Sequence, residues 1–201
     1  MIEMTLVMGL LITLVLGFVD FGYAFYQWNA AAKAVQIGAR LAAVSTPVAE
    51  GIPLEAGAPA STSDVGLPVP AGQYHYYCTA TALGIASCMC EAGTCIDITA
   101  DQDAFDRIYY GDDRGLEECG VVLPDNRGGM CDFFPGIEAD EVRIDYFATG
   151  LGYWTRPGGP VPTISVSVVG RPFDFFFLAF ADITMPSMLS TITGEDLSTS
   201  F

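Results

Sequence analysis

Sixteen consecutive residues, Met4 to Val19, carry no charge, and after Asp20 the apolar run resumes as Phe21-Gly22-Tyr23-Ala24-Phe25-Tyr26 and ends at Trp28. At 1.5 Å rise per residue, about twenty-five helical residues reach ~37 Å, enough to cross a hydrocarbon core of ~30 Å. Tyr23, Tyr26 and Trp28 cluster at one end, where amphipathic rings favour the membrane–water boundary. A cleaved signal peptide needs a basic start, a shorter apolar core and a small-residue cleavage site. Here Glu3 stands at the start, and helical character continues from Asn29 to Val44 with no proline and one glycine. The stretch is therefore expected to be a retained span continuing into a long helix.

A small-residue ridge runs along both halves of that helix. Ala30, Ala34, Gly38 and Ala42 recur every four residues, and Gly9, Thr13 and Gly17 repeat the spacing inside the span. Alanine alone favours helix, but a ridge in both halves predicts close approach to other helices. Two acids, Glu3 and Asp20, interrupt the apolar surface. A charge at bilayer depth costs a few kcal/mol, so it is expected to have a partner, a task or a place at the boundary.

The order of these residues resembles the TadE-like family, the minor pseudopilins of tight-adherence (Tad, Flp-type) pilus systems. The resemblance rests on Glu3-Met4-Thr5-Leu6-Val7-Met8-Gly9, Gly17-Phe18-Val19-Asp20-Phe21-Gly22, Asn29-Ala30-Ala31 and Gly38-Ala39-Arg40-Leu41-Ala42-Ala43. It covers about the first 45 residues. The family commonly has proline where Gly9 stands, and its glutamate follows a leader peptide, whereas Glu3 is third here. The resemblance implies processing by a prepilin peptidase and contact with the pilus assembly platform and with other pilin or pseudopilin subunits. It also implies that Glu3 meets the terminal amine of a neighbour, a pairing that lowers the cost of both charges in an apolar bundle.

The remainder differs in kind. Eight basic against 24 acidic residues give a net charge of −16, which opposes binding to nucleic-acid phosphates. Pro47, Pro53, Pro59, Pro68 and Pro70, with Gly51, Gly57, Gly66 and Gly72 between them, make Thr46–Gly72 a connector lying along a protein surface. The six cysteines, Cys78, Cys88, Cys90, Cys95, Cys119 and Cys131, all fall within one segment. That clustering predicts disulfide staples in an oxidising compartment and leaves many pairings open, apart from a strained Cys88–Cys90 bridge. Lys33 and Arg40 follow the span, which alone would place that end in the cytoplasm. The cysteines and the acidic domain argue the reverse, so the domain is expected outside the cytoplasm.

Strands are predicted at Tyr74–Ala80, Val142–Phe147 and Thr163–Val168, the last two by alternation with one buried face. The glycines between the latter two suit a hairpin loop carrying Tyr153 and Trp154. Phe173–Phe180 reads as a buried strand or short helix, or else as an apolar contact patch for another subunit or the membrane. Ile183–Thr193 reads as a last strand placed at an edge by Pro186. Glu91–Asp145 holds 15 acids against four arginines. Its Asp101-Gln102-Asp103, Asp112-Asp113 and Glu117-Glu118 lack the offsets of a calcium-binding loop, which favours solvated surface over a calcium site. The cysteine spacings do not suit zinc. His75, the one histidine, adjoins no nucleophile motif, and no glycine-rich phosphate loop occurs.

The expected architecture is α+β. A transmembrane, pilin-like helix over 1–45 leads through a connector over 46–72 to a disulfide-stapled antiparallel β-rich domain over 73–201. No enzymatic activity, cofactor, metal or nucleic-acid partner is expected. The residues expected to serve helix assembly are Glu3, Gly9, Gly17, Asp20, Ala30, Ala34, Gly38 and Ala42. The expected role is a structural subunit of a Tad pilus, held as a single-pass inner-membrane protein before assembly and displayed on a surface pilus afterwards. Two competing roles are the main subunit of a homopolymeric filament and a membrane-anchored adhesin or receptor.

Overall fold

The computed structural model describes residues 2–55, 61–112, 119–120, 126–156, 160–177 and 183–194. One helix, α1, runs without interruption over Ile2–Val44. Beyond it lies a five-stranded antiparallel sheet of β1 (Tyr74–Ala80), β2 (Ala86–Gly93), β3 (Val142–Phe147), β4 (Thr163–Val168) and β5 (Met188–Thr193), in the order β2-β1-β3-β4-β5. Two short helices, α2 (Gln102–Tyr109) and α3 (Met130–Phe133), lie in the crossover from β2 to β3.

The far half of α1 crosses the sheet and packs against β4, β5 and α3. Ala31, Ala34, Val35, Ala39 and Ala42 are buried, a spacing of three and four residues that keeps one helical face on the core. Opposite them lie Ile164, Val166 and Val168 of β4, all buried. The expectation of one buried face on β4 needs correction, because all six of its residues are buried. Ile164 and Val166 stand between Tyr146 and Ile144 of β3 on one side and Ile192 and Ser190 of β5 on the other. On the other face, the small Ser165 and Ser167 are flanked by Asp145 and Arg143 of β3 and by Thr191 and Leu189 of β5.

The three strands read from the sequence occur with the expected bounds, and the loop between β3 and β4 holds Tyr153 bridged to Pro68. The last strand starts only after Pro186 and is an edge strand, since proline lacks the amide that a ladder needs. Over 173–177 the aromatic run is neither strand nor helix, and its reading as a core element is corrected there; residues 178–180 lie outside the described residues. Phe173 packs on the core, whereas Phe176 and Phe177 are exposed.

The disulfides are Cys78–Cys88, Cys90–Cys95 and Cys119–Cys131. The first joins directly opposed residues of β1 and β2. The second ties β2 to the segment that follows it, and the third fastens α3 to residue 119. The connector is pinned by polar contacts: the buried Glu55 carboxylate accepts from the Tyr76 hydroxyl and from the Ile96 amide, the latter at 2.9 Å. The Val48 amide donates to the Tyr146 hydroxyl at 3.2 Å. Val48, Ala49, Ile52 and Val69 complete its buried side, while Leu54, Val65 and Leu67 stay exposed.

Candidate membrane and assembly surface

The two halves of α1 meet different surroundings. From Met4 through Phe25 most of its large apolar side chains, among them Leu6, Leu10, Leu14, Phe18 and Phe21, are exposed, while Leu16 and Tyr23 are half-buried. From Ala31 onward the helix is part of the core. A helix this long and apolar is compatible with a membrane anchor. Exposure of so much contiguous hydrocarbon marks a surface that lipid or protein covers.

The expected assembly residues divide along the same line. The backbone of Glu3 lies in α1, and its side chain is outside the described residues. Gly9 and Gly17 lie on the exposed half, with open space where a β-carbon would project. Ala30 is half-buried, and Ala34, Gly38 and Ala42 are buried against the chain's own domain. A β-carbon on Gly38 would come within 2.7 Å of Met130 Cγ and 3.3 Å of Val166 Cγ1. The far half of the ridge therefore lets a helix lie close to its own sheet and α3. The near half remains uncovered among the described residues.

Asp20 is fully buried. Its carboxylate accepts from the backbone amides of Phe176, at 3.0 Å, and Phe177, at 2.9 and 3.2 Å. Two turns further along the same face, Gln27 makes a reciprocal pair with Asp174. The Gln27 side-chain amide donates to the Asp174 carbonyl at 2.8 Å, and the Asp174 amide donates back to Gln27 Oε1 at 3.0 Å. The Tyr23 ring lies against Phe176 with centroids 4.6 Å apart. These contacts fasten residues 173–177 along α1. Beside the strap, Phe21, Phe25, Trp28, Phe173, Phe175 and Ile183 line an open apolar groove of about 300 Å3. Gln27 was missed in the sequence, although its position seven residues after Asp20 places both on one helical face.

The basic residues after the span are engaged with the domain: Lys33 lies over the Phe133 ring at 4.9 Å, and Arg40 joins Arg127 and Phe133 around a second groove. On the sheet, His75 Nε2 is 3.0 Å from Asp145 Oδ1 and 3.6 Å from Glu91 Oε2. Three such ligands within reach of one another match a metal-binding triad in type. However, the Arg143 guanidinium hydrogen-bonds both carboxylates and stacks on Tyr77. Asp145 holds that guanidinium above its usual pKa, so the cation these acids require is already supplied by the chain. The acids considered for calcium are also in use: Asp101 caps α2 by accepting from the Ala104 amide, and Asp112 accepts from the Arg127 amide. Asp113, Glu117 and Glu118 lie outside the described residues.

Residues 1–40 match the family model described as TadE-like protein. The matched region is the exposed half of α1 together with the start of its packed half. No curated protein and no solved structure matches the chain.

Proposed function

We propose that this protein is a minor pseudopilin of a Tad-type pilus. Its α1 holds the subunit in the inner membrane and then bundles with the helices of other pilin or pseudopilin subunits. The carrying observation is the split in α1. The stretch over 1–40 that matches the TadE-like family begins with a largely bare apolar half, touched by its own domain only along the face of Asp20, Tyr23 and Gln27, and from Ala31 the helix joins the core. A helix folded onto its domain at one end and uncovered at the other is suited to joining that domain to a helical bundle.

In this reading Gly9 and Gly17 let neighbouring spans approach closely, and Glu3 pairs with a neighbour's terminal amine. The domain stays outside the cytoplasm, where its three disulfides are stable, and presents contacts to other pilus components. The role is mechanical and uses no catalytic group. Gold-labelled antibody against the β domain tests it on intact cells of the source strain. Label at pilus tips or bases is the expected result. Label along the whole length of the fibres makes the chain the main filament subunit, and surface label unrelated to fibres makes it an anchored adhesin; either overturns the proposal.

A further inference from the structure

We infer that the Phe176–Phe177 loop is a second membrane contact, inserted into the lipid interface beside α1 and held there by Asp20. The inference rests on the reading of α1 as a membrane span. From Met4 to Asp20 the helix rises ~24 Å, short of the ~30 Å hydrocarbon core. An upright span that begins at Met4 therefore keeps Asp20 inside the apolar layer and reaches the boundary near Ala24. A bare carboxylate at that depth is costly, yet this one is fully buried under the loop and accepts from two of its amides.

The same bonds help occupy four of the five backbone amides over 173–177. Irregular backbone enters hydrocarbon only where its polar groups are satisfied by protein. The Phe173 amide donates to the Ile183 carbonyl, the Asp174 amide to Gln27, and those of Phe176 and Phe177 to Asp20. What the loop turns outward is apolar: Phe176 and Phe177 are 64% and 51% exposed.

Polarity along the strap follows the same axis. At the level of Gln27, about 10 Å further from the membrane centre by helical rise, Asp174 points into solvent and pairs with Arg171 at 2.8 Å. The charged end faces the water side and the aromatic end faces the span. That gradient, continuous with the exposed apolar half of α1, assigns the patch to lipid rather than to a protein groove.

Depth-dependent quenching tests this on the full chain in phosphatidylcholine vesicles containing lipids brominated near the carbonyl end of the acyl chain. Trp28→Phe removes the helix tryptophan, and the buried Trp154 gives a constant background. Leu10→Trp, Phe176→Trp and Phe177→Trp are then read one at a time. The expected result is a blue-shifted emission, largely quenched by bromine, at all three positions. Adding Asp20→Leu should abolish quenching at 176 and 177 but not at 10, and Asp20→Asn, which keeps an acceptor oxygen, should restore it in part. Quenching at 10 without quenching at 176 and 177 overturns the loop insertion while the span stands. Absence of quenching at 10 overturns the span itself. Protection at 176 and 177 that appears only when copies cross-link assigns the patch to a second copy and also overturns the inference.

Discussion

Gly38 shows how one absent side chain sets the distance between α1 and the sheet. Any β-carbon there must displace Met130 and press on Val166. Leucine adds four carbons to a filled space, and overpacking of one or more methylenes typically costs about 1–3 kcal/mol. Gly38→Leu is expected to destabilise the fold by at least about 3 kcal/mol, only partly offset by the ~1 kcal/mol that glycine costs a helix interior. Chemical denaturation followed by circular dichroism checks this, with the unfolding midpoint falling and the slope unchanged. Gly38 stands on the small-residue ridge, but the effect of this substitution on the fold would mask any effect on packing between subunits. Gly9 and Gly17, where a β-carbon meets nothing, are the positions at which bulk can be added without disturbing the domain. Spacing identified the ridge; which side of it faces a neighbour depends on contacts with residues as distant as Met130 and Val166.

At the scale of elements, the connector and sheet share a set of buried phenols. Burial raises the pKa of Tyr74, Tyr76 and Tyr146 above the ordinary 10.0, and Tyr109, whose hydroxyl donates to the Ile137 carbonyl, is pushed up to about 12. A pKa raised by folding means that the unfolded chain releases its protons first as pH rises. Stability from these groups is therefore complete below pH 10 and is lost from there upward, through about 12 for Tyr109. Absorbance at the phenolate band should show an exposed class titrating normally, followed by a cooperative class released with loss of the far-ultraviolet signal. Titration of all nine tyrosines in one normal phase would show that the connector does not seal the sheet.

The strands at Val142 and Thr163 were legible because their apolar residues alternate with polar ones, and the strand at Tyr74 because its aromatics favour the pleated backbone. β2 was not, since only Cys88 among its residues is well buried and its place is set by pairing with β1. α2 was hidden in an acidic segment, although a signal was present. Asp101 is an N-cap, and Ala104, Phe105, Ile108 and Tyr109 fall on one helical face. The Cys78–Cys88 pairing was not legible because it follows from strand register, which spacing alone leaves open. The role of Asp20 was equally out of reach, since its partners are backbone amides over 150 residues away.

For the whole molecule, cohesion and anchorage are separated along one helix. The hydrophobic core begins at Ala31, and the large apolar side chains before it are exposed except at the half-buried Leu16, where the strap touches Tyr23 and where Phe173 nears Trp28. Among the described side chains of residues 2–18 all but Leu16 and Gly17 are exposed, so their deletion is expected to cost the fold little. The shortened chain, made in an oxidising compartment, should therefore be soluble without detergent, elute as a monomer and melt within a few degrees of the full chain. Calorimetry and gel filtration test this; an aggregated or unfolded product would mean that the greasy half supports the fold.

Because α1 passes from bare to packed with no proline and no break between Ile2 and Val44, it has no joint at which the β domain can swivel independently. In the proposed role it is a mast stepped in the membrane and rigged by the domain. A lean of about 20°, ordinary for a spanning helix, carries the far end of a ~64 Å rod sideways by roughly 22 Å. The direction in which the domain points is thus dictated from below, and any event that re-angles the buried end re-aims the whole head.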